Sequence, residues 1–322
     1  MLSIIEALAL SKKLASCTDS PRIDCEVILS AAIEQSRTYL YTWPEKTLSD
    51  HQQTIFLQNL ERRINGEPVA YIVGQKEFWS LPLFVDKSTL IPRPETELVV
   101  EVTLELLSDA ASVNASSCKN SFIGGASDIK IADLGTGSGA IALALASENP
   151  HWQVWGLERD KDALALAKKN QQQLNLSNVN LLLSDWFSAL SVKGSTQKSA
   201  QKSAQESATD SVKESTQEPD PKFNAIVSNP PYIDINDKHL QQGDVRFEPH
   251  TALVADDHGL ADIESIISQA SEHLLQNGWL VFEHGNQQAD AVTECFKKHG
   301  FQCVFTRNDL AGQPRVTSGQ LR

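Results

Sequence analysis

Four consecutive residues, Asn229-Pro230-Pro231-Tyr232, close a short apolar run, Ala225 to Val227. Prolines stop a strand because they donate nothing to its ladder. Here they also leave acceptors exposed. Asn229 offers a side-chain carbonyl, and the carbonyl of Pro230 lies past the end of the strand. Two fixed acceptors match the two hydrogens of one planar NH₂ group. The lone pair of an amide nitrogen is delocalised, as its rotation barrier of about 18–20 kcal/mol shows. Two acceptors that favour a pyramidal nitrogen, and stabilise positive charge as it develops, suit transfer of a carbon group to that nitrogen. Tyr232 can hold a flat substrate group in place.

A second cluster, Asp133-Leu134-Gly135-Thr136-Gly137-Ser138-Gly139, follows a predicted strand and precedes a predicted helix. Glycines at 135, 137 and 139 permit a tight turn and close approach to a ligand. Glu158 ends the next strand, where a carboxylate accepts hydrogen bonds from ribose hydroxyls. The spacing is G-x-G-x-G, not the G-x-G-x-x-G that cradles a pyrophosphate. A ligand with a ribose and an amino-acid ammonium, but no phosphate, fits an acid such as Asp133 beside the loop. S-adenosyl-L-methionine is such a ligand. Asp185 and Trp186 end a third strand, where an acceptor and an indole could meet an adenine ring.

The elements that must position these residues alternate. From Ile129 the order is strand, glycine turn, helix, strand, helix, strand, and it resumes at Phe223 with strand, helix, strand, helix. Such alternation predicts a doubly wound α/β sheet. The segments FQCVFTR and RVTSGQL read as a closing antiparallel pair. Residues 1–75 read as a small all-α domain, with a capping box at Ser49 and Gln52 and a helix start at Ser20-Pro21. Residues 76–97 read as a β-hairpin linker, and 98–322 as the sheet domain. Within it, serines at 195, 199, 203, 207, 211 and 215 mark a four-residue repeat. The segment 193–222 lacks large apolar side chains beyond Val212 and reads as a disordered, low-complexity insertion.

Bulk properties narrow the classes. A length of 322 residues predicts two domains. A net charge of −13 disfavours a nucleic-acid-binding face. Five cysteines without a C-x-x-C pair predict neither a disulfide framework nor a zinc site, and a reduced, cytoplasmic protein. Leu14 to Cys17 mimics a lipoprotein box, but Glu6, Lys12 and Lys13 interrupt the apolar stretch a signal needs. No apolar run approaches the ~18 residues of a membrane span.

The Asn229–Tyr232 tetrad with the Asp133–Gly139 turn is shared by methyltransferases that act on planar nitrogen. The segments 66–79 (GEPVAYIVGQKEFW), 90–101 (LIPRPETELVVE), 184–190 and 241–263 further resemble the release-factor glutamine methyltransferases of the PrmC/HemK family. The resemblance implies a Rossmann-like, seven-stranded methyltransferase domain behind a helical domain that grips the substrate protein. It implies methylation, from S-adenosyl-L-methionine, of the side-chain nitrogen of the glutamine in the Gly-Gly-Gln motif of class 1 peptide chain release factors. Gly135 through Gly139, Glu158, Trp186 and Asn229 would contact the donor, and Asn229 through Tyr232 the glutamine. Glutamate at 158 departs from the aspartate frequent in that family and lengthens the arm.

A ribosomal-protein glutamine methyltransferase, a DNA adenine methyltransferase and a non-catalytic S-adenosylmethionine-binding adaptor remain as alternatives. A monomer without membrane or direct nucleic-acid partners is expected. Arg93 and Glu95 stand either over the donor site or as solvated cap charges. Arg62 and Arg63 read as a solvated helix face, and His284 beside Glu283 as structural.

Overall fold

A computed structural model describes residues 1–108, 129–190 and 221–322. The Ser-rich stretch before Ile129 and nearly all of the repeat insertion lie outside the described residues.

The first 75 residues form α1 (Ile4–Ala9), a 3₁₀ turn, α2 (Pro21–Ile33), α3 (Arg37–Thr42), α4 (Asp50–Ile64) and α5 (Val69–Val73). Reciprocal capping boxes at Ser3/Glu6 and Ser49/Gln52 satisfy the first N–H groups of α1 and α4. Helix α2 does begin at Pro21. Ser20, however, gives its hydroxyl to Asp24 instead of capping the backbone. Ile28, Leu29, Leu40, Phe56 and Leu60 are buried in a core of this layer's own.

Strands β1 (Gln75–Phe78) and β2 (Leu81–Phe84) form an antiparallel hairpin. A 3₁₀ turn at Pro94–Thr96 leads into α6 (Glu97–Leu107).

The sheet domain comprises β3 (Lys130–Leu134), α7 (Ala140–Glu148), β4 (Gln153–Glu158), α8 (Lys161–Leu174), β5 (Val179–Leu183) and β6 (Phe223–Ser228). Next come the short strands β7 (Ile233–Asp234) and β8 (Val254–Ala255), and the turn α9 (Asp256–Gly259). The chain closes with α10 (Ala261–His273), β9 (Leu274–Glu283), α11 (Ala289–Lys298), β10 (Phe301–Asn308) and β11 (Pro314–Leu321). The seven-stranded order is β10-β11-β9-β6-β3-β4-β5. Five strands run parallel, and β11 is antiparallel to both of its neighbours, β9 and β10. The sequence anticipated this closing pair.

β3 is apolar from Ile131 to Leu134 but for Asp133, and β6 is buried along its whole length, because helices cover both faces of the sheet. The chain winds from β3 out through β4 to β5, then crosses back to β6 on the other side of β3. A crevice opens at the carboxyl ends of strands where the winding reverses in this way.

A polar clamp at Arg63 joins the sheet domain to the helical layer. Arg63, expected on a solvated helix face, is 6% exposed and binds Asp24 at 2.7 Å and Asp244 at 3.0 Å. Arg62 forks onto Glu67, with both contacts at 2.8 Å. The helical pattern of α4 showed the face but not these partners, one of which lies in the distant 241–249 loop. Among the described cysteines, Cys17, Cys25 and Cys295 are free thiols.

Candidate active site

A cleft of about 920 Å³, its open mouth included, lies at the carboxyl ends of β3, β4, β5 and β6. It is lined by Gly135 to Ser138, Glu158, Ser184 to Trp186, Asn229 and Pro231. The predicted residues of four separate strand ends therefore converge on one space.

The glycine turn is built against the acid of β4. Glu158 is 8% exposed. Its Oε2 accepts from the Gly137 N–H and its Oε1 from the Asp160 N–H, each at 2.9 Å. A carboxylate that occupies the Gly137 N–H sits where a bound phosphate would need that donor, and would repel it. This geometry supports a ligand without phosphate. Gly135 has φ +68°, and a Cβ there would touch the Trp186 ring at 3.4 Å. The left-handed backbone at this position, more than the indole contact, favours glycine. Ser184 holds the Trp186 carbonyl at 2.7 Å and so fixes the turn that carries the indole. Asp185 is exposed at the cleft, where its carboxylate can accept from a ligand.

Asp133 lies under the turn and does not line the cleft. Its Oδ2 accepts from the Thr136 hydroxyl at 2.5 Å and from the Ala142 N–H at 3.2 Å, tying the turn to the start of α7. Its Oδ1 is buried without a hydrogen-bond partner. Burial pushes its pKa up to about 7, against the pull of Thr136 and the Ala142 N–H. Gly139 is also outside the lining. With φ +86° it caps the N-terminus of α7.

The tetrad after β6 divides. Asn229 and Pro231 face the cleft; Pro230 is buried behind them. No N–H among the described residues donates to the Pro230 carbonyl. Asn229 donates from Nδ2 to the Thr96 hydroxyl at 3.1 Å. Tyr232 packs into the core beside the cleft and donates its hydroxyl to Glu283 Oε1 at 3.1 Å. Its phenol pKa is raised by burial and by the Glu283 charge, so it stays protonated.

Thr96 and Glu283 were not singled out by sequence reading. Thr96 lies inside a segment read as a helix start, and Glu283 ends an apolar strand next to a histidine. The available signal was positional, since Glu283 ends β9, the parallel neighbour of β6. Arg93 and Glu95 are absent from the lining. Arg93 instead binds Glu248, and its neighbours Pro92 and Thr96 reach the cleft. On the far rim, Arg159 donates to the Thr251 carbonyl at 2.9 Å, and Thr251 and Ala252 close that side.

The chain resembles known proteins along nearly its whole length. Residues 7–74 match the PrmC N-terminal domain model, and residues 126–313 match a methyltransferase domain model. The release factor glutamine methyltransferase of Aliivibrio fischeri is 44% identical over 98% of this chain and 97% of its own. Those of Escherichia coli and Pseudomonas aeruginosa are 43% and 44% identical, each over 94% of this chain and 93% and 94% of their own. Among solved structures, the hMettl16 catalytic domain aligns with a TM-score of 0.51 at 16% identity, covering 88% of this chain and 85% of that one. At that identity the likeness concerns the fold.

Proposed function

Because this chain belongs to the release factor glutamine methyltransferases, we propose that its cleft holds S-adenosyl-L-methionine and that the Asn229–Tyr232 tetrad holds the side-chain amide of the acceptor. The glutamine is that of the Gly-Gly-Gln motif of class 1 release factors. The observation that carries the reading is the convergence of the Glu158-bound glycine turn and the Asn229 amide on one cleft. A ribosomal-protein or DNA acceptor gains no support from the site. A non-catalytic adaptor would not need two acceptors aimed at an NH₂ group.

The residues fit the donor. Glu158 retains lone pairs for ribose hydroxyls beyond the two N–H groups it already holds. Asp185 can accept from an exocyclic amine, and Trp186, Ile141 and Ala163 supply apolar walls for a flat ring. Asp133, behind the turn, fixes Thr136 and the start of α7 and so sets the shape of the loop. When bound, S-adenosyl-L-methionine supplies an electrophilic methyl group on a sulfonium.

The chain's own part is binding and orientation. The Asn229 Oδ1 and Pro230 carbonyls each accept one hydrogen of the glutamine NH₂. Gripping both hydrogens favours a pyramidal nitrogen with its lone pair directed away from them. The same two acceptors stabilise the positive charge that nitrogen acquires. No strong base has to act first, since the proton is acidic once the nitrogen is charged and can leave afterwards. Pro231 and the apolar rim limit water beside the nitrogen.

The helical N-terminal domain, clamped by Arg63 to Asp244, would grip the release factor outside the loop that carries the glutamine. The reading places the enzyme in the cytoplasm, as a monomer without a nucleic-acid partner. Incubation with methyl-labelled S-adenosylmethionine and a purified class 1 release factor tests it. Label on the factor, and none when its Gly-Gly-Gln glutamine is changed to alanine, is expected. Label on neither, with donor binding intact, would overturn the assignment of substrate.

A further inference from the structure

An asparagine can hold an NH₂ group only if its oxygen, not its nitrogen, faces that group. A half-turn about its last bond exchanges the two. In this site Nδ2 of Asn229 points at the Thr96 hydroxyl, which leaves Oδ1 for the cleft. A threonine hydroxyl alone does not enforce that choice, because it can donate to Oδ1 as readily as accept from Nδ2. Something must take the hydroxyl proton elsewhere.

The Glu283 carboxyl lies beside Thr96 at the end of β9. It is 1% exposed, and the Thr96 hydroxyl lies close enough to favour its ionised form, although no hydrogen bond joins the two in this structure. Tyr232 donates to its Oε1, while Oε2 has no partner that meets full hydrogen-bond geometry. An ionised carboxylate accepts only. When Glu283 is ionised, Thr96 can present its proton to that carboxylate and its lone pair to Asn229 Nδ2. Tyr232 is held by the same carboxylate. One buried acid thus reaches both ends of the tetrad.

We propose that Glu283 is a positioning residue which, through the Thr96 hydroxyl, fixes the Asn229 oxygen toward the methyl acceptor and, through the Tyr232 hydroxyl, fixes the far end of the same tetrad. The inference rests on the reading of Asn229 as the group that holds the glutamine amide. Oε2, buried without a partner, is the acceptor left for the Thr96 hydroxyl.

The charges that face Glu283 come from several elements. Arg315 on β11, Thr96 and Tyr232 favour its ionised form; burial and Glu95 oppose it. Arg93 acts on the neighbouring Tyr232, and His284 is held neutral by burial. If Glu283 takes up a proton, it becomes a donor. Thr96 is then free to donate to Oδ1, and the amide can turn. Activity that depends on this chain of contacts falls as pH drops through the folded pKa of Glu283, which lies above the ordinary carboxylate value.

Steady-state methylation of a release factor by Thr96→Val, Thr96→Ser and Glu283→Gln, beside calorimetric donor binding, tests the proposal. Thr96→Val and Glu283→Gln are expected to lower kcat by about 10- to 100-fold, the range found when the partner that orients a site group is lost. KM for the factor and donor affinity should stay near wild type. Thr96→Ser should restore kcat, and Glu283→Gln should lose the acid limb of the kcat profile. Wild-type kcat in both Thr96→Val and Glu283→Gln would overturn the proposal. So would a Thr96→Ser variant as impaired as Thr96→Val, because the role would then be steric. If Glu283→Gln fails to fold, the Thr96 pair still decides. A wild-type enzyme that binds donor but labels no release factor would instead sink the reading of the substrate, a result distinct from active variants.

Discussion

Arg93 places a single guanidinium nitrogen 2.8 Å from both carboxylate oxygens of Glu248, which is fully buried. The pair spans the hairpin linker and the loop that precedes the cleft rim at Thr251. Burial pushes the Glu248 pKa up to about 7, with Arg93 and the Ile91 N–H opposing. Arg93→Ala removes the opposing charge and leaves a buried carboxylate without its cation, a loss of about 2–3 kcal/mol. A carboxylate whose folded pKa is raised contributes stability below its unfolded pKa and loses it as pH rises through the folded value. The destabilisation by Arg93→Ala should therefore be larger at pH above about 7 than near 4.5. Urea unfolding of both proteins at the two ends of that window checks it; equal losses would argue against a charge effect.

Glu158 should control the donor and not the acceptor. Its carboxylate shapes the turn through Gly137 and has lone pairs left for a ribose. Hydrogen bonds to a charged group are worth about 1.5–3 kcal/mol, so Glu158→Ala should weaken donor binding by roughly 10- to 100-fold. Titration calorimetry with S-adenosylmethionine reads this directly. Unchanged affinity would remove Glu158 from the donor site.

Gly259 offers a steric test of the tetrad's backbone. Its φ is +82°, and a Cβ there would drive into the Tyr232 carbonyl. Gln288 ties that carbonyl to His258, with both contacts at 3.0 Å. Gly259→Ala should cost at least about 1–2 kcal/mol from the left-handed backbone alone. The displaced Tyr232 carbonyl should also lower kcat more than donor affinity. A variant with wild-type melting and turnover would show that the segment yields freely.

Asp133 predicts a second pH dependence. Its pKa rises from 3.8 to about 7 in the folded chain, chiefly by burial. The folded state therefore holds a proton that the unfolded state has released, and stability from this group declines as pH climbs through that interval. Asp133→Asn keeps an acceptor for Thr136 and Ala142 but cannot titrate. The fall in stability between pH about 4 and about 7 should shrink in the variant. An unaltered pH profile of the unfolding midpoint would contradict the assignment.

Much of this site could be read from local sequence. The glycine turn, Glu158, Asp185, Trp186 and the tetrad each stand at the end of a strand whose apolar run announces it. A doubly wound sheet brings such ends together without further information. The contacts that hold the site in place were not legible. Asn229 meets Thr96 across 133 positions, Arg93 meets Glu248 across 155, and Arg63 meets Asp244 across 181. Helical or strand periodicity reports which face of an element is covered, not which distant charge covers it. Arg63 accordingly looked solvated and is buried. Asp133 was expected beside the ligand, and the turn has drawn it underneath, because its carboxylate satisfies N–H and O–H groups of the turn itself. The hairpin and the antiparallel closing pair were legible because aromatic and β-branched residues cluster there.

The most direct test is the single-turnover rate of methyl transfer by Asn229→Ala, with donor and release factor both saturating, and with the methylated residue located by peptide mass spectrometry. Loss of one charge-stabilising group in a preorganised site costs on the order of 10²- to 10³-fold in rate. The account predicts a fall of that size, with wild type placing the methyl group on the side-chain amide of the Gly-Gly-Gln glutamine. A variant that transfers at the wild-type rate, or a wild-type product methylated elsewhere, would contradict it.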